Sequence, residues 1–238
     1  MSWQPETLNV LGAISTKRVV PPGNVMVESL QYAQLSYSMS GEDSFMAKHF
    51  KDRMRARQPG IYVDVGAGAI WDISNTFMFF CHGWRGLCIE PNPNAVEEWK
   101  QWRKGDLRVT AAVGEQEGQA YWHAHNANFG MAQVTMDNRP PGEAWLPGIP
   151  VAVRRLDKLF AEHLAGREIQ FMSIDVEGAE LGVLKSNDWT RWRPELILME
   201  CVGFDFAAPF ALPAVAYLVD QGYKLDSKLG DNLVFERV

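Results

Sequence analysis

The chain has 238 residues, of which 47% are hydrophobic and 22% are charged, and its 29 acidic and 23 basic residues give a formal net charge of −6. This composition is typical of a globular protein and excludes disordered, collagen-like and low-complexity classes. The acidic balance argues against a broad phosphate-binding surface, and we therefore expect no nucleic-acid partner.

Predicted strands and helices alternate along the chain after about forty irregular residues. Short apolar runs bounded by turn residues predict strands at 61–65, 86–90, 107–113, 119–123, 169–174, 196–199, 223–225 and 233–236. Apolar residues at helical spacing predict helices over 41–58, 74–82, the segment after 91–93, 156–164, a segment starting within 175–180, and 207–221. Residues 124–150 contain four prolines and few periodic apolar positions, which predicts a long surface excursion, an acceptor-side lid.

This alternation is the signature of βαβ units and predicts one α/β domain with a doubly wound, mainly parallel sheet. In such sheets, ligands bind beyond the carboxyl ends of the strands. Three of the predicted strands end in an acid or a glycine-rich turn, at Asp64-Val65-Gly66, Glu90 and Asp175. We therefore expect the ligand-binding site at this edge of the sheet.

The turn Gly66-Ala67-Gly68 allows the backbone to approach a ligand closely, because glycine tolerates positive φ and has no Cβ. Glu90 ends the next strand, where an acid accepts hydrogen bonds from ribose hydroxyls. A dinucleotide site requires Gly or Ala three residues after Gly68, but this position is Trp71, and no Gly-Lys-Ser/Thr loop exists for a nucleoside triphosphate. S-adenosyl-L-methionine has no phosphate, so it needs the open glycine turn and the ribose acceptor but no pyrophosphate-binding loop. Acidic and aromatic neighbours stabilise its cationic sulfonium.

Six segments carry a more specific pattern, in order from about residue 36 to the end. They are Tyr-Ser-Met-Ser-Gly-Glu-Asp at 37–43, Tyr-Val-Asp-Val-Gly-Ala at 62–67, Ser-Asn-Thr at 74–76, the glycine- and proline-rich stretch 83–93, Ile-Asp-Val-Glu-Gly-Ala-Glu at 174–180 and Arg-Pro-Glu-Leu-Ile-Leu-Met-Glu at 193–200. Together they resemble the FkbM-type family of S-adenosylmethionine-dependent methyltransferases. Two departures are Met39, where the family motif usually has Gln, and the apolar stretch 69–73.

The resemblance implies a class I methyltransferase fold, a Rossmann-like seven-stranded sheet with an antiparallel C-terminal strand. It also implies S-adenosyl-L-methionine as the cofactor. The expected cofactor-binding residues are Glu42, Asp64, Gly66, Ala67, Gly68, Asn75, Glu90, Pro91, Asn92 and Asp175.

Three acids are the predicted catalytic residues. Methyl transfer to oxygen needs a positioned acceptor and a base or a metal that helps remove the hydroxyl proton. Asp175 ends the strand nearest the expected methyl group, Glu177 follows two residues later, and Glu200 ends a neighbouring strand. Helix capping is the alternative role, above all for Glu180. A Mg²⁺ site built from the three acids is a further alternative, although we expect no metal.

A few further residues are candidates for contact with the molecule that accepts the methyl group. His123 and His125 are either a general base or two surface histidines on a strand. Trp122 and Trp145 either stack on a sugar ring or pack within a core or lid. Asn232 either reaches the acceptor or forms a turn with the preceding aspartate.

We therefore predict an O-methyltransferase that acts on a hydroxyl of a sugar in a glycan, glycolipid or glycosylated metabolite. A polyketide-type or other small-molecule hydroxyl is the alternative acceptor. A nicotinamide-dependent oxidoreductase and a non-catalytic nucleoside-binding module are the rival classes. No apolar run reaches the roughly 18 residues of a membrane span, the N-terminus does not resemble a signal peptide, and the three cysteines fit a reducing compartment, so we expect a cytoplasmic protein.

Overall fold

The computed structural model describes residues 35–126 and 132–238. The strands are β1 (Ile61–Val65), β2 (Arg85–Ile89), β3 (Leu107–Val109), β4 (Ala112–Val113), β5 (Gly118–Ala124), β6 (Ala132–Thr135), β7 (Ile149–Arg154), β8 (Phe171–Ile174), β9 (Leu196–Glu200), β10 (Tyr223–Leu229) and β11 (Asn232–Arg237). The helices are α1 (Glu42–His49), α2 (Lys51–Arg55), α3 (Phe77–Cys81), a 3₁₀ turn (Pro93–Ala95), α4 (Val96–Trp102), α5 (Leu156–His163), α6 (Glu180–Lys185) and α7 (Pro213–Asp220). The irregular segment predicted at the N-terminus lies, up to residue 34, outside the described residues.

Seven strands form the main sheet in the order β10-β11-β9-β8-β1-β2-β3. Neighbours from β9 to β3 pair in parallel, whereas β11 runs antiparallel to both β9 and β10. The prediction of a mainly parallel seven-stranded sheet with an antiparallel C-terminal strand is confirmed. Since β1 and β8 are adjacent, the turns that follow them meet at the carboxyl edge of this sheet.

The central strands are buried on both faces, which explains their continuous apolar runs. Val63 and Val65 of β1 pack into one core cluster, while Tyr62 of the same strand packs into a second cluster on the opposite face. Phe171 of β8 stacks on Tyr62 with ring centroids 5.6 Å apart. The two cores fix the strands, and the strands in turn fix the positions of the turns at the carboxyl edge.

A second sheet, in the order β4-β7-β5-β6, lies between β3 and α5 in the chain. The strand predicted over 107–113 is divided between the two sheets, as β3 and β4. The described part of 124–150, the stretch predicted as a surface excursion, contains β6 and the start of β7. Pairing of β6 and β7 with β5 supplies the backbone hydrogen bonds that the apolar pattern did not reveal. The role of this stretch as an acceptor lid stays a prediction.

The last helix is shorter than predicted. Residues 207–212 form turns, and α7 begins at Pro213. Proline lacks a backbone N–H and is suited to the first position of a helix rather than its interior, so the helix starts there. Among the described residues, no helix is both long and apolar enough to cross a bilayer.

Candidate active site

The glycine turn after β1 brings two strand ends into contact. Gly66 has φ +78°, and a Cβ at this position would lie 1.7 Å from the backbone oxygen of Asp175. Its N–H donates to the carbonyl of Ile89 at 2.9 Å, so the turn is also attached to β2. Any side chain at residue 66 would therefore separate the turn from β8, which is why glycine is required here.

The carboxylate of Glu90 lies directly after β2 and is buried. It accepts hydrogen bonds from the backbone N–H of Gly68 at 2.9 Å and of Asn92 at 2.7 Å. Burial raises the pKa of Glu90, against the lowering effect of these two hydrogen bonds. Because a carboxylate has about four acceptor positions, two positions are left for further donors such as vicinal hydroxyls. Pro91 and Asn92 complete the turn, and the Asn92 side chain caps the 3₁₀ turn by accepting from the N–H of Asn94 at 2.9 Å.

Asp175 and Glu200 form a carboxyl pair at the ends of β8 and β9. The two strands are in parallel register up to Ile174 and Met199, so the next residues are neighbours, and their side chains are hydrogen-bonded to each other. Burial, followed by the charge of Glu200, raises the pKa of Asp175 from 3.8 to about 8. Burial also raises the pKa of Glu200. With a pKa of about 8, Asp175 keeps a proton at neutral pH, which the pair shares through this hydrogen bond.

Glu177 and Glu180 follow this pair but have different environments. Glu177 is exposed and has φ +56°, an uncommon conformation for a residue other than glycine. Burial and then the charge of Glu180 raise the pKa of Glu177. Glu180 accepts a hydrogen bond from the N–H of Gly178 at 2.9 Å, so its side chain stabilises the turn that presents Glu177.

Glu42 reaches the same edge from the N-terminal side of α1. Its fully buried carboxylate accepts from the backbone N–H of Ser40 at 2.7 Å and from the Asn232 amide at 2.9 Å. Asn232 pairs with Glu200 in the β11–β9 register. The Oδ1 atom of Asn232 is buried and has no hydrogen-bond partner among the described residues. Since buried acceptors are normally satisfied, this oxygen is suited to a donor on a bound molecule.

Two predicted cofactor contacts have protein partners in the structure. The carboxylate of Asp64 accepts a hydrogen bond from the Thr76 hydroxyl at 2.6 Å, and burial raises its pKa to about 6. Asn75 donates from its amide to the Ser173 hydroxyl of β8 at 3.1 Å. Ala67, in the glycine turn, is buried in the second core cluster. These three residues connect the turn after β1 to the strands beneath it.

Sequence reasoning missed the buried arginine that supports this region. Arg103 is 1% exposed and donates to Asp106 at 2.7 Å, to the Ile70 carbonyl at 2.9 Å and to the Thr76 hydroxyl at 3.0 Å. It thereby fixes both ends of the segment from Ile70 to Thr76, and through Thr76 it supports Asp64. The sequence does not indicate that Arg103 is buried, because an arginine at the end of an amphipathic helix is usually exposed to solvent.

A family model for the FkbM methyltransferase domain matches residues 64–225, which is more than half of the chain. The chain belongs to the FkbM methyltransferase family. It is therefore an enzyme that uses S-adenosylmethionine as methyl donor, and its main sheet is that of a class I methyltransferase. Membership of this family excludes the two rival classes, a nicotinamide-dependent oxidoreductase and a non-catalytic nucleoside-binding module.

Comparison with solved structures gives distant likenesses. The methyltransferase resembles a methyltransferase from Geobacter sulfurreducens (12% identity, 97% of this chain and 98% of the other, TM-score 0.42). It also resembles an O-methyltransferase from Bacillus cereus in complex with SAH (12% identity, 97% of each chain, TM-score 0.40) and the precorrin-6y C5,15-methyltransferase from Geobacter metallireducens GS-15 (13% identity, 79% of this chain and 84% of the other, TM-score 0.37). No curated protein matches the sequence.

The residues of the methyltransferase fit its methyl donor. The donor carries a cationic sulfonium, a ribose diol and an amino-acid group. The carboxyl edge offers the Asp175–Glu200 carboxyl pair, the Glu90 carboxylate with free acceptor positions and the unsatisfied amide oxygen of Asn232. We call Glu42, Glu90, Asp175, Glu177 and Glu200 the acidic edge. The described residues contain no group of three or more His, Cys, Asp or Glu side chains that could hold a metal ion, so the Mg²⁺ alternative gains no support from them.

The candidate histidines and tryptophans in and beside the second sheet of the methyltransferase contact other groups of the protein. His123 is fully buried, and its ring nitrogens lie 2.9 Å from the Leu146 carbonyl and 2.9 Å from the Thr135 hydroxyl, so it is not the surface histidine that was one of the alternatives. Trp122 is 7% exposed in the core of this sheet. His125 and Trp145 contact each other edge to face, with ring centroids 5.1 Å apart.

Proposed function

We propose that this methyltransferase acts on a hydroxyl group, and that the hydroxyl belongs to a sugar in a glycan, glycolipid or glycosylated metabolite. The observation that carries the proposal is the Asp175–Glu200 carboxyl pair at the strand ends, where burial raises the pKa values of both groups, as is typical of groups that transfer protons. A sugar is supported by the number of hydrogen-bond acceptors on the acidic edge. Such acceptors match the many hydroxyl donors of a polyol.

The proposed cofactor contacts use the residues predicted for this purpose. Glu90 accepts from the ribose hydroxyls with its remaining acceptor positions. The backbone of Gly66, Ala67 and Gly68 provides a surface without bulky side chains for the cofactor. Glu42, Asn75 and Asp175 contact the amino-acid end of the cofactor. When bound, S-adenosylmethionine supplies an electrophilic methyl group on a positively charged sulfur.

The proposed proton path starts at the acceptor hydroxyl. An alcohol is a weak nucleophile until its proton is removed, and a carboxylate within hydrogen-bond reach can take that proton. In this proposal an ionised oxygen of the Asp175–Glu200 pair accepts the proton while the alcohol oxygen forms its bond to the methyl carbon. The bond between that carbon and the sulfonium sulfur would break, and its electron pair would stay on the sulfur of the leaving S-adenosylhomocysteine. Glu177, presented by the strained turn above the pair, is the second candidate base.

An apolar acceptor is the second candidate, and a specific observation favours it. The segment that follows Glu200 exposes Val202, Phe206 and Phe210, with 67%, 70% and 61% of their surfaces accessible. Exposed aromatic side chains beside a polar site are suited to a flat apolar acceptor such as a polyketide.

The experiment is transfer of labelled methyl groups to two panels, one of sugars and glycosides and one of aromatic and polyketide alcohols. The proposal predicts a labelled methyl ether on a sugar, and the same product at a greatly reduced rate from the Asp175→Asn variant. Transfer to the second panel alone supports the alternative acceptor. Transfer to nitrogen or carbon in both panels, with no ether formed, contradicts O-methylation.

A cytoplasmic location is also part of the proposal. Cys81, Cys88 and Cys201 are all free thiols in the structure, as in a reducing compartment. Cell fractionation with compartment markers tests this location, and recovery from an oxidising compartment contradicts it.

A further inference from the structure

A cavity of about 330 Å³ lies at the amino edge of the main sheet, opposite the acidic edge. Its lining includes Gln170, which precedes β8, Glu195, which precedes β9, and Arg237, which ends the antiparallel strand β11. Since parallel strands begin at one edge and end at the other, this cavity is separated from Asp175 and Glu200 by the length of the strands. It is therefore not part of the methyl-transfer site.

Four arginines line this cavity, namely Arg167, Arg191, Arg193 and Arg237, and we call it the arginine cavity. Among its described lining residues, the carboxylates are those of Glu168 and Glu195, and Glu195 lies 2.9 Å from the His49 ring nitrogen. Within residues 35–126 and 132–238, none of the four guanidinium groups forms an ion pair. Elsewhere in the chain, ion pairs with carboxylates are made by Arg103, Arg139, Arg154 and Arg155.

The guanidinium groups are held in place by neutral partners. Arg237 donates to the Arg193 carbonyl at 2.7 Å, and Arg193 lies over the Tyr223 ring at 5.6 Å. Arg191 lies over the ring of Trp192 at 4.7 Å, and this tryptophan is 4% exposed. Arg167 donates to the Leu164 and His163 carbonyls and Arg193 to the Gly222 carbonyl. Since a guanidinium has five N–H donors, most of the donors in the cavity still have no acceptor among the residues that the structure describes.

Grouping four guanidinium groups around two carboxylates leaves an excess of positive charge, and a bound anion relieves the repulsion. The planar fork of a guanidinium matches two oxygens of a phosphate, which makes arginine clusters suited to phosphate groups. The cavity volume is at the lower end of the range for small-molecule sites, roughly 300–1,000 Å³. The four arginines exceed the two carboxylates by two positive charges, which matches a ligand with at least two negative charges.

We propose that the arginine cavity binds a phosphate-bearing ligand of this kind, at a site separate from the methyl-transfer site. The phosphate belongs either to a free small molecule or to a lipid headgroup, because both present the same oxygens to the arginines. The proposal does not depend on the acceptor of the methyl group.

The first test is isothermal titration calorimetry of the full chain with inorganic pyrophosphate at low salt. The wild type is expected to bind one pyrophosphate. The double variant Arg191→Gln/Arg237→Gln is expected to bind at least about tenfold more weakly, because two charge-assisted contacts are lost. Both positions are exposed, so thermal melting should show an intact fold.

The matched control is Arg55→Gln/Arg139→Gln, which removes the same charge from two exposed positions outside the cavity. This control should bind pyrophosphate as the wild type does. Equal weakening in both double variants would show a general effect of net charge and overturn the proposal. Absence of pyrophosphate binding by the wild type would overturn it as well.

The second test identifies the source of the phosphate by sedimentation with vesicles. Vesicles of phosphatidylcholine containing phosphatidic acid are compared with vesicles of phosphatidylcholine alone. Sedimentation with the phosphatidic acid vesicles that pyrophosphate reverses, and that the cavity variant loses, supports a lipid headgroup. Pyrophosphate binding without sedimentation supports a free phosphate ligand. Sedimentation that the cavity variant and the control variant retain equally would contradict the assignment to this cavity.

Discussion

The two edges of the main sheet carry opposite charges. The carboxyl edge holds the Asp175–Glu200 pair and Glu90, all with raised pKa values, whereas the amino edge holds four arginines around one cavity. The formal net charge of −6 conceals this separation. Net charge therefore describes the average surface, and the local grouping of charges determines what each edge is able to bind.

The largest expected effect is on the carboxyl edge. Asp175→Asn keeps the shape of the side chain but removes the shared proton site, so kcat for methyl transfer should fall about 100-fold or more. The thermal midpoint near neutral pH should stay near that of the wild type, because the protonated Asp175 side chain that asparagine replaces is also uncharged there. Steady-state kinetics and a melting curve check both statements. Unchanged kcat would remove Asp175 from the catalytic step.

The next effect separates cofactor binding from turnover. Glu90→Ala should weaken binding of S-adenosylhomocysteine by about 10-fold to 100-fold, because it removes the acceptor proposed for the ribose hydroxyls. Glu97→Ala is the control, since Glu97 is an exposed acid that forms an ion pair with Lys100 on the surface of α4. Calorimetry on both variants decides the point. Equal affinities would place the ribose elsewhere.

A smaller effect concerns pH and stability. The pKa of Asp175 is about 8 in the folded chain against an ordinary value of 3.8, so the folded state holds a proton that the unfolded chain has lost. The contribution of Asp175 to stability is therefore present below pH 3.8 and is lost as the pH rises through about 8. Urea denaturation at about pH 5 and about pH 9 should show a decrease for the wild type that is smaller in Asp175→Asn. The same decrease in both proteins would assign it to other groups.

The smallest expected effect is at the amino edge. Arg191→Gln/Arg237→Gln should leave kcat and the affinity for S-adenosylhomocysteine within about twofold of the wild type, because the strands separate the two edges. Kinetics and calorimetry on one preparation measure both quantities. A large loss of activity would show that the two edges are coupled.

The sequence predicted the main sheet well, because buried parallel strands have an unambiguous apolar pattern. It did not reveal β6 within 124–150, since edge strands such as β6 are held by pairing with β5 rather than by an apolar run. It also overextended the last helix, which begins only at Pro213.

For the site, strand ends and family motifs identified the acids, and the structure shows which of them meet. Asp175 and Glu200 are 25 positions apart in the chain and become neighbours only through the β8–β9 register. The support from Arg103 was not predictable, because its partners Ile70, Thr76 and Asp106 come together only in the folded chain. The arginine cavity was missed for the same reason, as its residues are spread from 166 to 237.

The most direct test of the account is the number of protons released when S-adenosylmethionine binds near neutral pH. Calorimetry in buffers of different ionisation enthalpy measures this number. If the carboxyl pair serves the cationic cofactor, binding of the cation expels the shared proton, so the wild type should release close to one proton and Asp175→Asn should release almost none. Cofactor binding without proton release in the wild type would contradict the assignment of the Asp175–Glu200 pair to this site.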